Sequence, residues 1–373
     1  MPCFAGSVAR TMRTELHQRL GGRLLNGPQG QQVTDYGDQS RELHFLTESL
    51  GLTDLSSRGR LCLLGADRQR FLHGQVTNDI QRLRQGQGCF AAFVSGKGRV
   101  QMPVNVFHLG EELLLDFEPA STESVRQRIE SYLIADQVEV VDAGDAYGLM
   151  TLQGPKSGPC LERVLAGVVL PQAERDIVLN DGPLGSGVYC ARHSRLGSLG
   201  YDLYVPADEF ESAFLSLAEA VSLLGGGLCG SHAWDRARVS GGIPLYGRDI
   251  TDAHLAPETG LESVGISYSK GCYIGQEVIA RIRTYGQVNK ALRSLLILSK
   301  GAPARTGDAL FDDTGREVGQ ITSVAEVLKG GTQVALGYVR KEHFAPGTEL
   351  TAGVGDLAYR LRVAGLPYQP IPY

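Results

Sequence analysis

Hydrophobic positions run through the same order of patterns twice in the first two thirds of the chain. Short apolar runs at Gly59 to Leu64, Gly86 to Val94, Arg99 to Phe107 and Leu113 to Phe117 read as strands, with SGKG as a hairpin turn between the second and third. Pro119 ends the last of them, and from Ser121 the positions Val125, Ile129, Tyr132 and Leu133 form the stripe of a helix packed on a sheet. The pattern returns with strands at Val188 to Arg192 and Tyr201 to Val205. Pro206 follows, and then a helix with Asp208 as N-cap and Phe210, Phe214, Leu217, Val221 and Leu224 on its apolar face. Strand, turn, strand, proline, helix twice over predicts two related α+β units of ferredoxin-like architecture. A further helix is expected over Ala66 to Ile80, with Phe71 and Leu72 facing inward.

Beyond Lys290 the helical signals stop. Alternating runs at Leu295 to Leu298, Glu317 to Val324, Gln333 to Val339 and Ala358 to Val363 are separated by Gly, Asp and Pro turns, which predicts a small all-β barrel or sandwich. At the other end, residues 1–42 contain GGRLLNGPQGQQ and little periodicity, so an irregular extension is expected there, with structure beginning near Leu43. The expected division is thus 1–42, a pair of α+β domains over 43–290, and a β-domain over 291–373.

At 373 residues the chain has room for two or three domains with substantial cores. A net charge of -5 and a pI near 5.9 give no overall basic footprint for nucleic acid. Seven cysteines, Cys3, Cys62, Cys89, Cys160, Cys190, Cys229 and Cys272, are scattered and never closely paired. That spacing excludes a dense disulfide framework, argues against a self-contained zinc or iron-sulfur site, and fits a reducing cytoplasm. The N-terminus carries Arg10, Arg13 and Arg19 but no apolar segment long enough for a secretion signal, and no run approaches a membrane span. A cytoplasmic location is expected. His73 has no partner at ligand spacing and reads as a hydrogen-bonded histidine.

The densest chemistry lies in KGCYIGQEVIARIRTYGQVNKALRSLL, from Lys270 to Leu296. Cys272 sits on a glycine-flanked turn beside Lys270 and just ahead of a helix expected over Gln276 to Arg283. Both neighbours place positive potential near the sulfur, which favours a thiolate. Cys272 is therefore the candidate reactive side chain; the alternative is a small cysteine filling a gap beneath the loop.

KGCYIGQE followed by ARIRTYGQVNKALRSL closely resembles the signature of the YgfZ family of folate-binding proteins, which includes the Iba-type iron-sulfur assembly factors. The approach to it, LYGRDITDAHLAPETGLESVGISYSKGCYIGQE, matches as well. These proteins are similar to the T-protein of glycine cleavage, a tetrahydrofolate-dependent aminomethyltransferase. RHSRLGSLGYDLYVP, from Arg192, resembles its folate-side segment RTGYTGEDGYEI, and GREVGQITSV, from Gly315, resembles its C-terminal barrel. The resemblance implies an α+β fold of two interleaved ferredoxin-like domains and a C-terminal β-barrel, arranged as a three-domain ring around a folate.

On that resemblance Asp202 stands at the pterin-facing carboxylate, Trp234 at a folate-contacting tryptophan, and Arg281 and Arg283 are placed to meet a glutamate tail, with Lys290 beyond them. Lys270, Gln276 and Glu277 would support Cys272. Two departures separate the chain from T-proteins: Gln101 and Met102 replace a pair of aspartates, and Cys272 replaces a third. Arg58 stands where the YgfZ family has a second folate-contacting aromatic, a place that Tyr246 or Tyr285 would have to fill. The resemblance thus implies a reduced-folate-binding accessory protein that assembles or maintains iron-sulfur clusters in client enzymes, tRNA-modifying enzymes among them, with no resident metal and no direct nucleic-acid or membrane partner. The alternative is an aminomethyltransferase-like one-carbon transferase.

Overall fold

The computed structural model describes residues 13–27, 30–165, 167, 169–286, 288–298, 303–326, 333–353 and 355–366. The first twelve residues of the expected extension, Cys3 among them, lie outside the described residues. The chain forms two compact units interleaved in sequence: the first comprises residues 1–73, 79–90 and 104–234, the second residues 74–78, 91–103 and 235–373.

Two sheets draw their strands from the first unit, apart from residues 91–94 and 100–103 of the second. One has six strands in the order Ile177–Gly182, Gly185–Arg192, Gly200–Pro206, Tyr147–Gln153, Gly51–Asp54 and Gly227–Leu228. All its pairings are antiparallel except the last. The other has five strands in the order Gly88–Val94, Val100–His108, Leu113–Phe117, Gly59–Leu64 and Glu139–Asp142. Helix Phe210–Leu223 lays Phe210, Phe214, Leu217 and Val221 into a core with Leu152, Leu203 and Cys190 of the six-stranded sheet. Its stripe is the one expected. The cap differs: Glu209, not Asp208, occupies the N-cap, and its side chain makes no cap bond.

Two further helices are shorter than their stripes suggest. Helix Arg68–Gln75 stops before Val76, which instead bridges Phe93. Helix Thr122–Glu130 buries Val125 and Ile129 and ends before Tyr132, whose ring is exposed beneath the Arg128 guanidinium at 5.1 Å.

The expected irregular extension is ordered where it is described. Strands Arg23–Gly27 and Gly30–Asp35 pair, and helix Gln39–Glu48 is capped by Asp38, which accepts from the Ser40 and Arg41 amides. His17 fastens the segment, with Nε2 at 2.8 Å from Asp54 and Nδ1 at 2.8 Å from the Tyr36 hydroxyl. Polar contacts and the burial of the single Leu16 carry this order, and neither leaves a hydrophobic period.

In the second unit a closed six-stranded barrel runs Lys290–Ile297, Gln333–Arg340, Glu317–Glu326, Ala309–Phe311, Glu349–Ala352 and Tyr359–Ala364. Alternate residues point inward, as in Tyr359, Leu361 and Val363, and with Leu295, Leu310, Ile321 and Val339 they fill the interior. No described helix is long and apolar enough to cross a membrane.

Candidate functional site

Asp202 lies on strand Gly200–Pro206 with its side chain fully buried, inside a network of charges in the first unit. His193 Nδ1 is 2.8 Å from Oδ2, and Arg195 Nε donates to both oxygens at 3.0 and 2.9 Å. Arg195 Nη2 also donates to Asp116 at 2.8 Å. Asp116, equally buried, accepts from Arg58 Nε at 2.7 Å and from Asn105 Nδ2 at 3.0 Å, and Arg58 reaches Glu118 at 2.8 Å. The network joins the five-stranded sheet, which carries Asp116 and Asn105, to the hairpin of the six-stranded sheet that carries His193, Arg195 and Asp202.

Burial alone would push these carboxyls up. The Arg195 guanidinium and His193 outweigh it for Asp202 and hold it at about 2, while Arg195 and Arg58 hold Asp116 lower still. Burial, with Arg195, depresses His193 despite Asp202, which favours a neutral imidazole. Asp202 is therefore an ion-paired anion with both oxygens engaged. It would reach a pterin only by releasing His193 or Arg195. Arg58, at the expected place of an aromatic, is the outer clamp of the same network.

The second cluster lies in the second unit. Lys270 is buried, and its ammonium donates to the Val76 and Asn78 carbonyls at 2.7 and 2.8 Å, 4.8 Å from the centre of the Tyr273 ring. The lysine thus fastens the loop to residues 74–78, an attachment that the Ile274 amide repeats by donating to the Gly74 carbonyl at 3.2 Å. Gly275 turns the chain with φ +81°, and a Cβ there would meet the Ser95 carbonyl oxygen at 2.4 Å, so only glycine fits. Helix Gln276–Tyr285 starts directly afterwards, with Ile279 buried, Gln276 half-buried and Glu277 exposed. Cys272 is exposed, whereas Cys62, Cys160, Cys190 and Cys229 are buried and Cys89 is half-buried. Burial pushes Cys62, Cys160 and Cys190 up, Cys160 to about 11.

Arg281 and Arg283 are exposed on this helix, and Arg283 stacks 3.9 Å over the Tyr268 ring. Lys97 and Arg99 of the SGKGR turn are exposed in the same unit, and Gly98 of that turn packs on Val278 and Ile279 of the helix. Lys290 lies 4.9 Å over the Tyr338 ring. Gln101 is exposed and Met102 buried. Tyr246 is half-buried, and the Tyr285 side chain lies outside the described residues. Trp234 is half-buried in helix Ser231–Ser240, at the last residue of the first unit. His73 is buried and accepts from the Gln81 amide at 3.4 Å. Among the described residues no group of three or more His, Cys, Asp or Glu could hold a metal ion.

The structure gathers Lys270, Cys272, Gln276, Glu277, Arg281 and Arg283 on one loop and helix. Asp202 belongs to the buried network in the first unit. Sequence reasoning did not foresee that network. One signal was available: in RHSRLGSLGYDL, Arg195 stands where RTGYTGEDGYEI has a tyrosine, and a second unexpected arginine, Arg58, needs a buried carboxylate as much as the first.

The GCVT N-terminal domain family matches residues 14–266, and the glycine cleavage T-protein C-terminal barrel domain family matches residues 290–368. The chain belongs to the glycine cleavage T-protein family. Similar members include a chloroplastic protein of Arabidopsis thaliana provisionally named a transferase, 31% identical over 86% of this chain and 72% of that one. The aminomethyltransferases of Symbiobacterium thermophilum and Halothermothrix orenii are 27% and 28% identical, over 98% and 97% of this chain and 99% and 100% of theirs. Among solved structures, the glycine cleavage system aminomethyltransferase T of Bartonella henselae superposes with a TM-score of 0.84 at 20% identity, covering 95% of this chain and 96% of that one. This T-protein family member therefore has the expected α+β fold with a C-terminal barrel.

Proposed function

We propose that this member of the T-protein family is a reduced-folate-binding accessory protein, acting in the cytoplasm on iron-sulfur clusters of client enzymes, with Cys272 as its working thiol. The observation that carries this reading over aminomethyl transfer is the state of Asp202. Aminomethyl transfer requires a carboxylate able to exchange a proton near neutral pH. Asp202, held at about 2 by Arg195 and His193 with both oxygens engaged, is unsuited to that work, and Gln101 and Met102 offer no substitute. Cys272, in contrast, is presented to solvent on a loop that Lys270 and Gly275 hold in one shape, within the sequence that resembles the YgfZ signature. In this reading Trp234 supplies a face for the pterin, and Arg281 and Arg283, with Lys97 and Arg99 in the same unit, meet the glutamate tail.

Calorimetric titration with tetrahydrofolate tests the folate part. Binding that falls at least about tenfold in Trp234→Ala and in an Arg281→Ala, Arg283→Ala double variant supports it; the absence of any heat with the intact protein sinks it. Asp202 is a poor probe, because its removal strips a buried ion network. The thiol part is tested separately by Cys272→Ala in cells lacking the protein: retained iron-sulfur enzyme activity would remove the cysteine from the mechanism. Folate-dependent methylamine release from an aminomethylated lipoyl carrier would establish the transferase reading instead.

A further inference from the structure

The helix that carries Trp234 begins against the N-terminal segment of the same unit. Strand Gly227–Leu228 is two residues long, and it hands the chain to helix Ser231–Ser240 through Cys229 and Gly230. The Gly230 carbonyl accepts from the Trp234 amide at 3.1 Å, so Gly230 is the first link of that helix. Its own N–H stands at the helix start, where no acceptor exists within the helix. Glu42 supplies one. This residue, 3% exposed, accepts from the Gly230 amide with Oε2 at 2.9 Å and from the Tyr36 amide with Oε1 at 2.7 Å. A carboxylate at a helix N-terminus also meets the favourable end of the macrodipole.

The N-terminal segment is shaped to this junction at several further points. The Cys229 thiol donates to the Glu42 carbonyl at 3.4 Å. A Cβ on Gly230 would stand 2.3 Å from the Thr34 carbonyl oxygen, so the segment and the helix start approach by their backbones, with no room for a side chain between them. Gln39 Nε2 lies 3.0 Å from His232 Nδ1. On its far side the segment is held by the His17 ring, 2.8 Å from the Tyr36 hydroxyl and 2.8 Å from Asp54. A helix entered from a two-residue strand is thus fixed at its start by residues 34–42, and the half-buried Trp234 follows directly on that start.

We propose that Glu42 is a positioning residue for Trp234: it bridges the N-terminal segment to the start of the tryptophan's helix and sets where the indole stands. The consequence for ligand binding rests on the folate reading, in which Trp234 faces the pterin; the placement of the indole does not.

Trp234 is the only tryptophan in the chain, so its emission, excited apart from the tyrosines, reports this indole alone. Glu42→Gln keeps the length of the side chain but leaves one acceptor oxygen for two amides. In the full chain it should shift the Trp234 emission maximum, change quenching by acrylamide, and weaken tetrahydrofolate about two- to tenfold, the range that a displaced aromatic face implies. In a Trp234→Ala background Glu42→Gln should cost no further affinity, because the residue acts through the indole. Gln39→Ala, on the exposed rim of the same junction, provides the emission measurement should Glu42→Gln fail to fold. Unchanged emission in whichever of the two variants folds overturns the proposal. An equal loss of affinity with and without Trp234 also overturns it, by marking Glu42 as a purely structural residue. Absence of tetrahydrofolate binding by the intact protein sinks the folate reading and the ligand consequence with it, and the emission then decides alone whether Glu42 places the indole.

Discussion

The hairpin around Asp202 and the loop around Cys272 are made from similar materials and put them to opposite uses. Each combines basic side chains with a group whose chemistry depends on nearby positive charge. Around Asp202 the arginines point inward, both oxygens of Asp202 and of Asp116 are engaged, and the product is a joint between two sheets. Around Cys272 the basic group nearest in sequence, Lys270, turns away to backbone carbonyls, and the thiol is left facing solvent. The difference lies in what the cation bonds. A guanidinium that forks between two carboxylates closes a site, whereas an ammonium that caps carbonyls fixes a loop and leaves its neighbour available.

The largest effect should come from opening the joint. Arg195→Met leaves Asp116 and Asp202 buried without their shared cation, which is expected to cost about 3–5 kcal/mol in urea unfolding. The same variant should leave the reaction rate of Cys272 with a disulfide reagent unchanged under native conditions; a large rate change would show that the two regions are not separate devices. Loosening the loop is expected to cost less. Lys270→Met removes the donor to two carbonyls, at about 1–3 kcal/mol, and Gly275→Ala forces a Cβ against the Ser95 carbonyl at a similar cost. Both should speed limited proteolysis near residue 272, and unchanged cleavage would deny the loop its clamp.

Acid separates the histidine contributions from the carboxylate ones by pH window. Asp202 is depressed in the folded state to about 2, so its contribution is complete above its unfolded value of about 4 and is lost as the pH falls toward about 2. In the second unit His254, stacked 4.2 Å from Tyr338, is depressed to about 4 by burial and by Lys290, and its contribution is lost as the pH falls from about 6.5 toward about 4. His193, depressed by burial in the first unit, begins to lose its contribution in the same range, so histidine resonances and urea midpoints followed across pH 7 to 2 should register the histidine losses before the Asp202 loss. The smallest effect is expected from Cys272→Ser, within about 0.5 kcal/mol of the parent, because the side chain is exposed.

The sequence made the repetitive parts of this fold legible. Phe210, Phe214, Leu217 and Val221 announced their helix, and alternation announced the barrel strands, because burial imposes a period on residue type. The described residues between 13 and 42 escaped, since His17, Tyr36 and Asp38 hold them by individual hydrogen bonds that have no period. The Cys272 loop was visible as a long specific motif. The Asp202 network was not, because its members Arg58, Asp116, His193 and Asp202 come from separate strands and turns and become partners only after the sheets form.

The interleaving of the two units bears on how the protein is made. Val76 and Asn78 leave the ribosome almost two hundred residues before Lys270, and until that lysine arrives their carbonyls have no ammonium to accept. The second unit therefore cannot mature segment by segment as it emerges. A chain cut after residue 234 would lack the cation that secures residues 74–78.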